Sequence, residues 1–406
     1  MRKRTLAMLL ACTMMLSLVL TGCGGGNGGE SQKPSGGNGG ANSAVTADGR
    51  DAEGNIVDLT AYATSLGDQW FTEEDLEIWD HIQDKSDNPD KIIWRHGSTT
   101  RSADESPAPR GDKRFFIELK KALGDRIEFQ FFFNATLGGT ADQILGGLQA
   151  KNVESYSYNV GAFYEYTRAF TPLDVGFLIP DLEAGIAVCA VGSEARDLMI
   201  QKCIDDTGLR VLTMGAIGMR HITSGKKPIV TLDDIAGQKI RVQNNNLHMA
   251  MFEALGASPT PIAFSELFTA LQQKTVDGQE NPISNIFEQN YVEVQKYMTL
   301  SNHLYTAGAL VCNDEWIRSL PQDVQEEIDK AAAIAQEQSG KDLIACEEAM
   351  LDYMVSAGFE LTELTPEAQE EFKQKAMTMW DQAGDVMGVE YWNQVRTAVE
   401  NIVNKM

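Results

Sequence analysis

From Lys91 onward the apolar positions switch between two periods. Ile92-Ile-Trp94, Arg126 to Phe133 and the tyrosine-rich Ser155 to Val160 read as strands. Between them, Lys113 to Leu123 sets Phe116, Leu119 and Leu123 at helical spacing before Gly124, and Thr140 to Ala150 reads as a second helix. Strands alternating with helices predict an α/β fold with a mostly parallel sheet, in which ligands meet the loops at the carboxyl ends of strands. Ala187 to Asp206 reads as a helix and Leu209 to Met214 as a strand. Gly215-Ala-Ile-Gly-Met219 then breaks the pattern, as a crossing between two α/β halves would.

The second half centres on residues 237 to 282. Residues 238 to 242 alternate as a short strand, with Ile240 and Val242 on one face and Lys239 and Arg241 on the other. A helix over 247 to 255 carries Leu247, Met251 and Leu255 and is closed by Gly256. After a Pro-Thr-Pro turn, Ser265 is the expected N-cap of a helix bearing Leu267, Phe268 and Leu271. Val276-Asp-Gly-Gln-Glu-Asn281-Pro282 follows. The stretch therefore offers one cation (Arg241), one ring (Phe264) and one amide (Asn281) to a shared cleft. Leu304 to Val311 reads as a returning strand. Gln322 to Ala357 then keeps a helical period through Val324, Ile328, Ala331, Ala335, Leu343, Cys346 and Met350, with Gly340 a candidate bend. Such a helix is about 50 Å long at 1.5 Å per residue, enough to run along two domains. Phe359 to Leu361 reads as a short strand, and helices from Pro366 and Glu390 close the chain.

Composition narrows the function classes. The 406-residue chain has 43% hydrophobic residues and allows two or three domains. A formal charge of −24 argues against nucleic acid as a partner. It leaves an anionic small molecule open, because arginines in a cleft bind a carboxylate whatever the global charge. No GxSxG, HExxH, P-loop or framed GxGxxG occurs, and no Cys/His cluster has metal spacing, so neither an enzyme nor a metal or cofactor is expected. Of the five histidines, His96 and His221 are placed to approach a cleft.

The N-terminus carries Arg2, Lys3 and Arg4, a short apolar core from Leu6 to Leu20, and Leu20-Thr-Gly-Cys23, which matches the bacterial lipobox. A lipid-modified Cys23 after cleavage of residues 1–22 is the expectation; an ordinary secretory signal with a chance cysteine is the alternative. Residues 24 to 44 are Gly-, Asn- and Ser-rich, as a flexible tether is. The extension from 45 to 90 contains a helical segment, Phe71 to Ile82, and no chemistry that assigns it a role. The pairing state of Cys189, Cys203, Cys312 and Cys346 stays open.

From Lys91 to the C-terminus the chain resembles the substrate-binding subunits of tripartite ATP-independent periplasmic (TRAP) transporters. The match is densest between Gly218 and His303, in Val276-Asp-Gly-Gln-Glu-Asn281-Pro282 and Glu293-Val-Gln-Lys-Tyr297. The resemblance implies a two-domain, periplasmic-binding-protein-like (type II-like) fold with a cleft between domains and a long helix bracing both. Domain I would take 91–217 and 307–346, and domain II 218–306 and 347–406. It implies that Arg241 grips a ligand carboxylate bidentately, that Arg220 and Asn281 face the same ligand, and that Phe264 lines the pocket. Asn244 and Glu280 are further candidates. Domain I would choose the ligand through His96, Ser98, Arg101, Tyr158 and Asn159, a region that departs from the family pattern. The expected protein is a monomeric, lipid-anchored receptor on the extracytoplasmic face of a Gram-positive-type envelope. It would pass an organic acid (C4-dicarboxylate, sugar acid or keto acid) to membrane permease subunits. A sensory module coupled to a kinase or chemoreceptor is the other reading. The Asp-Gly-Gln-Glu-Asn-Pro motif argues against the binding protein of an ATP-driven transporter.

Overall fold

A single mixed sheet organises the chain in the computed structural model, which describes residues 71–99 and 110–406 and scattered positions between 46 and 65. The expectations for the signal, for Cys23, for the tether and for Arg101 lie outside the described residues. The strands are β1 Ile92–Ser98, β2 Ile127–Phe132, β3 Ser155–Asn159, β4 Leu209–Ser224, β5 Lys239–Val242, β6 Ser258–Pro261, β7 Gly278–Pro282, β8 Tyr297–Asn313 and β9 Glu360–Glu363. Their order is β2-β1-β3-β8-β4-β7-β5-β6, with β9 beside β8. β1 pairs parallel with β2 and β3 at one end, and β5 pairs parallel with β6 and β7 at the other. The middle is antiparallel, where β8 pairs with β3 and β4, and β4 with β7. The mostly parallel expectation thus holds within each end and fails between them.

The two long strands carry the largest departure from local pattern. The glycine-rich run does not end β4; the strand continues through it to Ser224, paired with β8 along nearly its whole length. Register shifts between Val211 and Thr213, Ala216 and Gly218, and Arg220 and Ile222 absorb the irregularity. Gly218 sits in one of them at φ 131°, a backbone region that L side chains rarely adopt. A second correction is that residues 187 to 206 are not one helix. Leu182–Cys189 and Glu194–Thr207 are separate, and Ser193 caps the second through its hydroxyl.

The long helix spans Gln322–Ser356 without a break. Val324, Ile328, Ala331, Ala332 and Ala335 pack into a core with Trp94, Phe115, Phe116 and Phe129. Leu343, Cys346, Met350 and Met354 belong to a different core, with Tyr156, Met219, Ile283 and Trp392. Gly340, between these two sets, does not interrupt the helix; a Cβ there would lie 3.1 Å from the Ile186 side chain, so the glycine admits a close neighbour. Cys189, Cys203 and Cys312 are buried free thiols and Cys346 is likewise buried.

The extension gains a structural role. Thr72 and Asp75 form a capping box that starts the helix Glu73–Asp80. That helix lies on Arg110–Leu123, where Asp75 accepts from Arg114 at 3.1 Å. Trp79 stacks on Phe131 at 5.4 Å. The Phe131 N–H donates to Gln83 Oε1 at 2.8 Å and the Ser86 hydroxyl to the Asp125 carbonyl at 2.6 Å. β2 is an end strand, so these contacts cover an edge that would otherwise be open to pairing with another chain.

Candidate functional site

Three neighbouring strands bring the second-half candidates together. In register, Arg220 of β4 faces Pro282 of β7, His221 faces Asn281, and Arg241 of β5 faces Gln279. Residues separated by twenty to sixty positions therefore share one patch at this end of the sheet. β7 approaches β4 closely at its first residue, where a Cβ on Gly278 would collide with the Thr223 carbonyl.

Two buried arginines in the patch are in opposite states. Arg220 is fully buried and fully engaged. Its Nε and Nη2 hold the Glu280 carboxylate, Nη2 also donates to the Asn281 Oδ1 at 3.0 Å, and Nη1 donates to the Thr306 hydroxyl at 3.2 Å. Arg241 is 2% exposed. Its Nε and Nη2 both donate to the Ile262 carbonyl, at 2.9 and 2.8 Å. Its Nη1 is buried with no hydrogen-bond partner among the described residues. Burial lowers the Arg241 pKa to about 10, with Arg220 adding to the fall and Glu280 opposing it. The group stays charged at neutral pH and has no carboxylate in contact among the described residues.

Glu280 is the hub of the engaged set. Besides Arg220 it meets His303 Nε2 at 3.2 Å and His248 Nδ1 at 3.7 Å. His248 Nε2 lies 3.0 Å from Asp174, and Asn245 Nδ2 donates to the same carboxylate at 2.9 Å. Burial pushes the Glu280 carboxyl up, but Arg220 and the two imidazoles outweigh it and hold it well below the usual range. Burial likewise disfavours charge on His248, yet Asp174 and Glu280 raise its pKa above the ordinary value. The histidines that join the network are therefore His248 and His303. His221 is buried with Nδ1 unpartnered among the described residues, its pKa pushed down to about 3 by burial, His303 and Arg220.

The other candidates divide. Asn281 joins the patch, with Nδ2 turned to Gln279 Oε1 at 2.5 Å. Phe264 is 40% exposed and lies two residues beyond the carbonyl that Arg241 grips. It opens a single 3-10 turn, Phe264–Glu266, so Ser265 is inside a turn and caps nothing. Asn244 is exposed; the structural asparagine is Asn245, whose Oδ1 caps the helix Asn246–Ala254.

His96, Ser98 and Tyr158 lie on β1 and β3, and β8 and β4 stand between β3 and β7. β1 runs on through Ser98, so His96 is a strand residue and not a loop one. It packs 4.8 Å from Phe116 and 5.9 Å from Phe131, with Nδ1 on the Ser155 hydroxyl at 2.9 Å. Burial pushes its pKa down to about 3. Tyr158 is half-buried and Asn159 Oδ1 accepts from the Gly161 N–H at 2.8 Å.

One buried polar group escaped the sequence reading. Tyr291 is fully buried and its hydroxyl has no partner among the described residues; burial raises its pKa, against a pull from the Arg241 and Arg220 charges. It stands two residues before the Glu293-Val-Gln-Lys-Tyr297 motif, which was the available signal.

The sequence model of bacterial extracellular solute-binding protein, family 7, matches residues 98–385. A solute-binding protein of Verminephrobacter eiseniae is 35% identical over 218 residues, which are 53% of this chain and 64% of that protein. The C4-dicarboxylate-binding periplasmic protein DctP of Rhodobacter capsulatus is 30% identical over 298 residues, 73% of this chain and 88% of that one. The crystal structure of the sugar-acid-binding protein DctPAm from Advenella mimigardefordensis, in complex with galactonate, superposes with a TM-score of 0.70. It is 30% identical and covers 78% of this chain and 100% of its own. Among the described residues no helix is long and apolar enough to cross a membrane.

Proposed function

The chain belongs to the bacterial extracellular solute-binding proteins of family 7, the substrate-binding receptors of TRAP transporters, and on that premise we propose that it captures an organic acid through Arg241. The observation that carries the reading is the unfilled Nη1 of a buried guanidinium. A charge held out of water without a counter-ion is costly, and a ligand carboxylate supplies the missing partner with a geometry that matches the arginine fork. Relatives whose names state C4-dicarboxylate binding or a galactonate complex agree in chemical class. Phe264, half-open beside Ile262, is the wall of the pocket, and Asn281 contributes an amide by turning from Gln279.

Arg220 and Glu280 take a different part from the one first expected. Each satisfies the other, so they set the shape and field of the floor under Arg241. Capture involves closure of two lobes, 91–217 with 307–346 against 218–306 with 347–406. Both boundaries fall where β4 and β8 face each other, at Gly218 and Thr306, beside a register shift. A ligand that binds the closed form better shifts the population toward it. Permease subunits would read that form, and a lipid on Cys23 would keep a single-chain receptor at a Gram-positive-type membrane. Cys23→Ala should release the protein into the medium; retention on membranes rules the anchor out.

The deciding experiment is a thermal-shift screen of the purified protein against organic acids at fixed pH, repeated on Arg241→Ala. A ligand of the folded state raises the melting temperature by mass action. A shift with one acid class that disappears in the variant supports the reading. A shift with neutral sugars or peptides alone, or one that survives in Arg241→Ala, defeats it.

A further inference from the structure

We propose that His248 is a positioning residue of the ligand site: as an imidazolium held between Asp174 and Glu280, it supplies the cation that lets one more carboxylate enter the patch. Ligand affinity then follows its proton. The inference rests on the carboxylate reading above and extends it to a residue that neither the motifs nor the relatives assign.

His248 stands in the first turn of the helix Asn246–Ala254, shortly after β5, the strand of Arg241. A loop from the first half of the chain lies on that turn. The 3-10 turn Thr171–Asp174 ends in a buried carboxylate, whose Oδ2 accepts from the cap residue Asn245 at 2.9 Å and whose Oδ1 lies 3.0 Å from His248 Nε2. Two residues on, the backbone at Gly176 runs so close to the same helix that a Cβ would collide with the Met251 sulfur. The Phe177 N–H then donates to the His303 carbonyl at 2.9 Å. Phe177 itself is held at φ 59°, a costly conformation for a bulky residue. Its ring joins the apolar cluster of Ile240, Val242, Met251 and Phe252. The loop is thus pinned on this helix and on β8, and Asp174 is fixed beside His248.

Both ring nitrogens of His248 face carboxylates, Nε2 that of Asp174 and Nδ1 that of Glu280 at 3.7 Å. A neutral imidazole has one N–H and would turn a lone pair toward the other carboxylate; only the doubly protonated ring suits both. The remaining charged or titratable neighbours reach it through Glu280. His303 of β8 takes one oxygen of that carboxylate at 3.2 Å, and Arg220 of β4 holds both. The helix Pro366–Met377 joins the cluster of Met251 and Phe252 through Ala368, Phe372 and Ala376, which carry no charge, and Glu253 of the histidine's own helix is exposed. Burial works against a charge on His248, and Asp174 and Glu280 outweigh it. His221 and His303 go the other way, with pKa values lowered by burial. The buried set therefore places Arg220, Arg241 and His248 against Asp174 and Glu280. One positive charge is left over, which a ligand carboxylate cancels. With His248 neutral, the same carboxylate would add a buried charge without a counterpart.

The test pairs nitrogen-15 NMR of the histidine rings with calorimetric titration of succinate and galactonate, both from pH 5 to 9, in wild type, His248→Gln and Asp174→Asn. The signal lost in His248→Gln identifies the ring. In unliganded wild type that ring should be an imidazolium at pH 7. The acid that binds should bind about tenfold more weakly, or weaker still, once the ring has lost its proton, as removal of one unit charge from a buried set implies. Asp174→Asn should move the ring's midpoint and the fall in affinity to lower pH together, a shift that a purely structural contact would not produce. His248→Gln should bind weakly throughout and show no such fall. Glu347→Gln, which removes another group that titrates near neutrality, should keep the wild-type profile. A neutral ring at pH 7, a midpoint that Asp174→Asn leaves in place, a ring that titrates without a change in affinity, or a fall that vanishes in Glu347→Gln overturns the proposal and leaves the carboxylate reading intact. If wild type binds no acid of a broader panel either, both readings fall together.

Discussion

The two ends of the sheet bury polar groups by opposite means. At the β2-β1-β3 end, His96 is enclosed by Phe116 and Phe131 with a single hydroxyl partner, and burial keeps it neutral. At the β7-β5-β6 end, Arg220 and Glu280 are as deeply buried and carry charge, because each lies against the other, and Asp174 and Glu280 raise the pKa of the buried His248 between them. The first solution is dry and closed. The second works only as a complete set, and Arg241 is the member with no carboxylate in contact among the described residues. The contrast teaches where to look for a ligand: not where polar residues are most numerous, but where a compensated network stops one partner short.

The sharpest way to break this comparison is to delete each arginine in turn. Arg220→Met strands the Glu280 charge, and a loss of stability of about 3–5 kcal/mol is expected from breaking a buried pair. Arg241→Met removes a charge held only by the Ile262 carbonyl and by no carboxylate among the described residues, so stability should change far less than in Arg220→Met. Ligand affinity should fall by about 2–5 kcal/mol. Chemical denaturation and calorimetric titration of both variants separate the two roles. Similar stability losses in both would make the arginines equivalent and end the distinction.

A smaller effect probes how neutral groups are kept. Glu347 of the long helix packs against Gly218 with one carboxylate oxygen unpartnered among the described residues, and burial, aided by Glu183, raises its pKa to about 7. The folded state thus holds a proton that the unfolded state releases near pH 4.5. Stability from this group is lost as pH rises from about 4.5 to 7. Glu347→Gln should gain on wild type over that window, by on the order of 1 kcal/mol at pH 7.5. His96 has the reverse sign. Its folded pKa of about 3 lies below the unfolded value near 6.5, so stability grows as pH rises between them, and His96→Asn should flatten that slope. Melting curves across pH 4 to 8 read both.

The smallest effect concerns the extension. Thr72→Ala removes one half of the capping box and should cost about 1 kcal/mol, felt mainly by the helix Glu73–Asp80. Hydrogen exchange of that helix and of β2 should rise together if the extension shields the edge. Faster exchange in the helix alone would reduce it to a passenger.

Much of the fold was legible because much of it is locally periodic. The long helix ends at Ser356 where the pattern ends at Ala357, and β5 and β7 fall within the stretch that the motifs marked. What local pattern could not show was pairing. β4 runs through its glycines because β8, some ninety residues later, matches it with three register shifts, and no window of sequence contains both strands. The site divides in the same way. Arg241, Asn281 and Glu280 were readable from the motif, yet Arg220's commitment to Glu280 depends on which carboxylate lies across the sheet. Among three consecutive asparagines, only the phase of the helix start decides that Asn245 is the cap and Asn244 the exposed neighbour. Tyr291 was missed because an aromatic near a motif reads as core, and its ring is core; only the hydroxyl is not.

The position of β8 also sets the order in which the molecule can be completed. β8 lies between β3 and β4, both of which precede it by at least seventy residues in the chain. Until Tyr297–Asn313 arrives, β3 and β4 each present a raw edge, and the two ends of the sheet are not joined. Contacts this distant in sequence form slowly, and open edges are where chains stick to one another. The first three hundred residues are thus an unfinished product, and the last strand to be threaded into the middle commits the whole fold. Refolding should be slow, and chains truncated before Asn313 should aggregate where those truncated later in the C-terminal helices do not.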